Sequence, residues 1–193
     1  MHQFHPPTHV KMFPKHKESS ILTCDNCKKF ITSDYHNKNC SDVFMGGIIE
    51  SLIFDAFKPM MTYGLGGCTA LLMVFLTKDN VVHRVVLGHD ASTEKIEEWF
   101  IDKYKRGQDY NIVTVIKTPG EYQKDGDSWK LIAKNQEYWD KLIKKNNCKL
   151  ILEPYSTTRF IGSENSFEST LYFKMNPGPQ YSNNYGKYID IKF

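Results

Sequence analysis

Cys68 is the residue of this sequence that is best placed to act as a nucleophile. It follows the glycine-rich stretch YGLGG and precedes the apolar run TALLMVFL. A catalytic thiol needs exposure at the end of an element, a base that takes its proton, and donors for an oxyanion. Glycines permit a tight turn with outward N–H groups, which meets the first and third needs. The pattern permits a thiol nucleophile, and a buried structural cysteine is the alternative.

Two histidines downstream of Cys68 are the candidate bases. The apolar runs 68–76 and 81–87 flank the short polar link TKDN, and this arrangement predicts a β-hairpin. If the pairing closes at this link, Cys68 faces His89, whereas His83 faces Val74. A bulge or a shifted register would instead bring His83 nearer to Cys68. Plain hairpin geometry therefore favours His89 as the base.

A second cluster of chemically active side chains lies nearer the N-terminus. The spacing C-x2-C-x8-H-x3-C joins Cys24, Cys27, His36 and Cys40 within 17 residues. Three thiolates and one imidazole suit tetrahedral zinc, and a full set of four ligands leaves no open position for catalysis. The spacing predicts a structural zinc site, with a redox pair or unligated thiols as alternatives.

Hydrophobic periodicity predicts the elements that position these residues. Residues 1–20 carry three prolines and no apolar period, which indicates an extended arm, and residues 21–40 form the Cys/His segment. Residues 41–193 are predicted to form one α/β (α+β) domain with a mixed sheet covered by helices. The predicted helices lie between Ser41 and Pro59, over 92–107 and over 127–147. Besides the hairpin, strands are predicted over 110–117, 149–155, 169–175 and 187–193.

Composition restricts the compartment and the partners. The net charge is +3, and only three of the 25 basic residues are arginine, which argues against nucleic acid as the partner. No apolar stretch is long enough to cross a membrane, and the polar N-terminus does not resemble a secretory signal. Five cysteines without such a signal predict reduced thiols in an intracellular, cytosol-like compartment.

The stretch GLGGCTAL, followed by a strand that contains a histidine, resembles the cysteine–histidine deamidase superfamily. This superfamily includes the chemoreceptor glutamine deamidases and the catalytic domains of cytotoxic necrotizing factors. Gly66, Gly67, Cys68 and Thr69 match its nucleophile turn, and His83 falls where its histidine is expected. The resemblance covers at most residues 60–120. It implies a layered α/β sandwich that hydrolyses a side-chain amide of a protein through a thioester, with His83 rather than His89 as the base.

The leading hypothesis is therefore a thiol-dependent amide hydrolase, or deamidase, that acts on a protein or peptide substrate. Cys68 is the expected nucleophile, His83 is the base that the resemblance implies, and His89 is the reserve base. Zinc has a structural role in this reading, and no cofactor is expected for catalysis. The alternative is a non-enzymatic α/β module, stapled by zinc, that serves assembly or partner binding.

Overall fold

A computed structural model describes residues 41–52, 59–62, 64–157, 170–175, 177–184 and 187–193. Within these ranges the chain forms eleven strands and two helices. The strands are β1 (Ser41–Val43), β2 (Gly47–Leu52), β3 (Met60–Thr62), β4 (Thr69–Leu76), β5 (Val82–Asp90), β6 (Asn111–Asp125), β7 (Ser128–Ala133), β8 (Lys149–Ser156), β9 (Leu171–Met175), β10 (Pro179–Asn184) and β11 (Lys187–Asp190). The helices are α1 (Thr93–Lys105) and α2 (Gln136–Lys145). The predicted mixed α/β class is confirmed.

The strands form two sheets. A six-stranded sheet has the order β2-β5-β4-β6-β7, with β8 paired to β6 in parallel. A five-stranded sheet has the order β1-β3-β9-β10-β11. Only the β1–β3 and β6–β8 pairs are parallel among the described strands. The sheets are therefore mixed, as the sequence predicted.

The six-stranded sheet is the middle layer of a three-layer sandwich. Alternate residues of β4 and β5, such as Leu72 and Leu87, pack on β3 and β9 of the other sheet. The intervening residues, such as Met73 and Val86, pack on the two helices. Both faces of the central strands are therefore apolar, which explains why all eight residues of β4 are buried.

The helix predicted over 92–107 is confirmed as α1. Ser92 caps it, because its hydroxyl accepts a hydrogen bond from the Lys95 N–H at 3.2 Å. Ile96 and Phe100 of α1, together with Trp139 and Ile143 of α2, supply the buried helical side of the sandwich. Neither helix in the described ranges is long and apolar enough to cross a membrane.

The helix predicted between Ser41 and Pro59 is wrong over 41–52, and residues 53–58 lie outside the described ranges. The chain forms β1 and β2 instead, separated by the turn Phe44–Gly46. Gly46 adopts a φ of 83°, a left-handed conformation that a continuous helix does not allow. β2 pairs with β5 at the edge of the six-stranded sheet, and Ile48 and Ile49 pack on its opposite faces. An apolar spacing typical of a helix is therefore used by a half-exposed edge strand.

The helix predicted over 127–147 is half correct. Its second half forms α2, but its first half forms β7, which pairs with an extension of β6. Asn135 separates the two with a φ of 58°. Trp129, expected on a buried helical face, is 66% exposed on this ribbon. The segment before residue 187, expected to be a connection, contributes β10.

Candidate functional site

The candidate site lies where the chain crosses twice between the two sheets. The first crossing is the Phe44–Gly46 turn between β1 and β2, and the second is the 64–68 turn between β3 and β4. The Gly46 N–H donates to the His89 carbonyl at 2.7 Å, and the Met45 Sδ lies 3.7 Å from the Cys68 Sγ. These contacts join both turns to the start of β4 and the end of β5.

The glycine-rich turn holds Cys68 directly before β4. Gly64 and Gly67 have φ values of 69° and 127°, which favour glycine. The Cys68 side chain is half-buried and packs against the core between the sheets. Burial raises the pKa of its thiol, and the nearby Asp90 carboxylate raises this pKa further. The thiol is therefore protonated at neutral pH, and the preformed thiolate of many cysteine enzymes is not expected here.

His89 lies on the same face of the sheet as Cys68. It pairs with Ala70 of β4, and Ala70 and Cys68 have the same strand parity and both pack in the core between the sheets. The His89 side chain is only 2% exposed, so burial lowers its pKa to about 4, although Asp90 partly opposes this effect. At neutral pH His89 is a neutral imidazole that can accept a proton.

Thr62 fixes the tautomer of His89. The Thr62 Oγ1 lies 2.8 Å from the Val43 carbonyl oxygen and 2.8 Å from the His89 Nδ1. A hydroxyl has one proton, and Thr62 uses it for the Val43 carbonyl, so the Nδ1–H of His89 must donate to Thr62. The Nε2 atom then carries a free lone pair. This atom is buried and has no hydrogen-bond partner among the described residues.

His83, which the resemblance favours as the base, lies far from Cys68. Val82 pairs with Leu76 and Arg84 pairs with Phe75, so a bulge at His83 sits beside the hairpin turn. The full length of β4, about 25 Å at about 3.3 Å per residue, separates this position from Cys68. The His83 ring stacks on Tyr110, with ring centroids 4.5 Å apart. The structure therefore does not bring His83 and Cys68 together.

Tyr155 of β8 binds the 64–68 turn through its hydroxyl. The hydroxyl oxygen accepts the Gly67 N–H at 2.9 Å, and it lies 2.7 Å from the Leu65 carbonyl oxygen and 2.6 Å from the Cys68 carbonyl oxygen. The Cys68 N–H in turn donates to the Leu65 carbonyl. The glycine-rich turn was predicted to offer outward N–H groups to an oxyanion, but the N–H groups of Gly67 and Cys68 are occupied within the turn.

Lys117 adds a buried amine to the same end of the sandwich. It pairs with Ala70 on the side opposite His89, is 2% exposed, and donates from its Nζ to the Thr170 carbonyl at 2.8 Å. Lys117, Tyr155 and Thr62 were not predicted from the sequence. For Lys117 a signal existed, because it has the parity of Val113 and Val115, which face the other sheet.

The remaining predicted sites have different outcomes. The zinc ligands Cys24, Cys27, His36 and Cys40 lie outside the described residues, so the zinc site remains a prediction. Within the described ranges no group of three or more His, Cys, Asp and Glu side chains is arranged to hold a metal ion. Cys148 packs beside the helices, where burial raises the pKa of its thiol to about 12.

Comparisons with known proteins identify no relative of this chain. No protein-family model, no characterised protein and no solved structure matches it. The resemblance to the deamidase superfamily therefore stays a prediction that rests on the residues of the nucleophile turn.

Proposed function

We propose that the protein is a thiol-dependent amide hydrolase, or deamidase, that acts on a protein or peptide carboxamide. Cys68 is the nucleophile, His89 is the base, and Thr62 orients His89. The observation that carries this proposal is the hydrogen-bond geometry of His89. Its Nδ1 lies 2.8 Å from the Thr62 hydroxyl, which donates to Val43, and its buried Nε2 has no hydrogen-bond partner among the described residues, Cys68 included. A catalytic imidazole beside a nucleophile needs this arrangement, with one nitrogen anchored and the other basic.

The reaction follows from these roles. The Cys68 thiol passes its proton to the His89 Nε2 while the sulfur attacks the carboxamide carbon. Ammonia leaves with that proton as the C–N bond breaks, and a thioester remains on Cys68. A water molecule, deprotonated by the same Nε2, then attacks the thioester. Its cleavage returns the thiol and releases a carboxylic acid, which ionises in water.

The resting pair is neutral, and this sets the type of catalysis. The thiol loses its proton less readily than free cysteine, and the buried imidazole accepts one less readily than a solvated histidine. Proton transfer is therefore coupled to attack on a bound substrate, which is general-base catalysis rather than attack by a stored thiolate.

The proposal also includes the cellular compartment and the N-terminal zinc segment. Catalysis requires a reduced Cys68, so we assign the protein to a reducing, cytosol-like compartment. The segment with Cys24, Cys27, His36 and Cys40 is proposed to hold one structural zinc ion, because its donor set suits tetrahedral coordination. The zinc ion has no part in the chemical steps.

The test is release of ammonia from glutamine-containing peptides and from denatured protein substrates, with the product located by mass spectrometry. His89→Asn is the informative variant, because its amide can still donate to Thr62 while the base nitrogen is removed. The matched control is His83→Asn, which changes a histidine of the same strand. Activity in the wild type and the His83 variant, with loss in Cys68→Ala and His89→Asn, is expected. Activity that survives in Cys68→Ala would contradict the proposal.

A non-enzymatic, zinc-stapled binding module is the second candidate function. Phe44 and Met45 favour it, because they are 56% and 65% exposed on the turn that contacts Cys68. In such a module these side chains would contact a protein partner, and Cys68 would only fill space beneath them. Partner binding that is lost in Met45→Ser but kept in His89→Asn, without amide hydrolysis, would favour this candidate.

A further inference from the structure

The oxyanion of the proposed reaction needs a hydrogen-bond donor close to Cys68. When the Cys68 sulfur attacks a carboxamide, negative charge develops on the carbonyl oxygen, and preorganised donors lower the barrier. The backbone N–H groups of Gly67 and Cys68 would be the usual donors. Both already donate inside the turn, to the Tyr155 hydroxyl and to the Leu65 carbonyl. The peptide plane fixes the direction of each of these N–H groups, so a donor whose X–H bond can turn to a new acceptor is required.

Tyr155 has the geometry for this role. Its hydroxyl oxygen lies 2.6 Å from the carbonyl oxygen of Cys68 itself, and its side chain is held in the core between the sheets with 2% exposure. Burial and the neighbouring Cys68 thiol both raise the pKa of Tyr155, so its hydroxyl keeps its proton. A rigid, protonated phenol beside the nucleophile is a preorganised donor.

The hydroxyl proton of Tyr155 can be donated to more than one acceptor. Two carbonyl oxygens, of Leu65 and Cys68, compete for this single proton at 2.7 Å and 2.6 Å. Rotation of the O–H bond therefore moves the proton from one acceptor to another without moving the ring. The Gly67 N–H, which donates to the same oxygen, polarises the hydroxyl and strengthens it as a donor.

We propose that Tyr155 is a catalytic residue that donates a hydrogen bond to the oxyanion formed at Cys68. This inference rests on the proposed amide hydrolase function. In the step concerned, the new S–C bond forms and the carbonyl π electrons move to the oxygen. The Tyr155 O–H turns from a backbone carbonyl to that oxygen without transferring its proton. When the C=O bond re-forms and ammonia leaves, the O–H returns to the backbone.

Two chemical probes separate this role from simple support of the turn. Iodoacetamide alkylates a thiol by displacement of iodide and forms no oxyanion. p-Nitrophenyl acetate acylates a thiol through a tetrahedral oxyanion. In Tyr155→Phe, acylation of Cys68 should slow by about 100-fold or more, while alkylation keeps the wild-type rate. Tyr181→Phe is the matched control, because this second buried tyrosine donates to Glu153 instead of to the turn.

The outcomes distinguish failure of the oxyanion role of Tyr155 from failure of the proposed amide hydrolase function. If acylation and alkylation of Cys68 slow equally in Tyr155→Phe, Tyr155 only supports the turn and this inference is overturned. If wild-type Cys68 is acylated no faster than an exposed cysteine in a peptide, the proposed function itself fails. Should Tyr155→Phe not fold, fluorotyrosine at position 155 replaces it. The more acidic phenol should then change the acylation rate and leave the alkylation rate unchanged.

Discussion

Cys68 and His89 lie on the same face of the six-stranded sheet, one diagonal step apart across β4 and β5. His89 pairs directly with Ala70, two residues after Cys68. Diagonal neighbours in a regular antiparallel ladder are about 7–8 Å apart, and the structure records no hydrogen bond between the Cys68 Sγ and the His89 Nε2. The register of one hairpin therefore sets the geometry of the proposed dyad.

Asp90→Asn should make Cys68 more reactive. The Asp90 carboxylate raises the pKa of the Cys68 thiol, so removing its charge lowers that pKa and increases the thiolate fraction at a given pH. Alkylation of Cys68 by iodoacetamide, followed by peptide mass spectrometry across pH, should become several-fold faster near neutral pH. Asp79→Asn, in the distant hairpin turn, is the control. Equal rates in the Asp90 variant and the wild type would show that Asp90 does not influence the thiol.

The folded protein should be less stable in mild acid than at neutral pH, because His89 is buried as a neutral imidazole. Its pKa is about 4 in the folded protein and 6.5 in the unfolded chain, so the unfolded state binds the additional proton between these values. The stability that the neutral imidazole contributes is complete above about pH 6.5 and is lost as pH falls towards 4. Between about pH 7.5 and pH 5 the loss is about 2 kcal/mol.

Urea unfolding at these two pH values measures this loss. His89→Asn should show a pH dependence smaller by about 2 kcal/mol than that of the wild type. His83→Asn should keep the contribution of His89. An unchanged pH dependence in His89→Asn would mean that His89 is not buried as a neutral base.

Gly67→Ala should disturb both the fold and the thiol. The φ of 127° at Gly67 is strained for any residue with a Cβ, so a cost of about 1–3 kcal/mol in the free energy of unfolding is expected. Because the turn positions Cys68, the alkylation rate of Cys68 should change as well. Gly126→Ala, at a φ of 61° in the distant β6–β7 turn, should cost stability but leave the rate unchanged. A Gly67 variant with wild-type stability and reactivity would refute the importance of the turn.

Purified protein should contain one zinc ion per chain. The four donors Cys24, Cys27, His36 and Cys40 suit a complete tetrahedral set. Elemental analysis should show that the double variant Cys24→Ser, Cys27→Ser loses the metal, whereas Cys148→Ser keeps it. Alkylation of the N-terminal thiols should become fast only after chelation. Metal-free protein whose N-terminal cysteines react without a chelator would contradict the zinc prediction.

The sequence predicted the fold class and the β4–β5 hairpin because both depend on local patterns. The predicted register placed Cys68 opposite His89, whereas the structure pairs His89 with Ala70. This shift of two residues comes from a bulge at His83 and from a turn that is longer than predicted. Neither feature could be predicted from the sequence. An even shift keeps every side chain on its predicted face, so His89 still shares a face with Cys68.

Other parts of the site could not be predicted, because they depend on contacts between distant segments. Thr62 and Tyr155 come from strands that share no short-range pattern with Cys68, and sheet order was not derivable from periodicity. The helix expected between Ser41 and Pro59 shows the limit of that method. Apolar residues with helical spacing form an edge strand there. The overlooked signal was Gly46, a glycine inside the predicted helix, which adopts a positive φ.

The most direct test of the Cys68–His89 pair is acylation by p-nitrophenyl acetate at neutral pH, with the acyl group located by peptide mass spectrometry. The wild type and His83→Asn should carry the acyl group on Cys68, formed much faster than on an exposed peptide cysteine. His89→Asn should lose this rate advantage while it keeps the fold, as circular dichroism would verify. Equal acylation of Cys68 in folded His89→Asn and in the wild type would contradict the dyad.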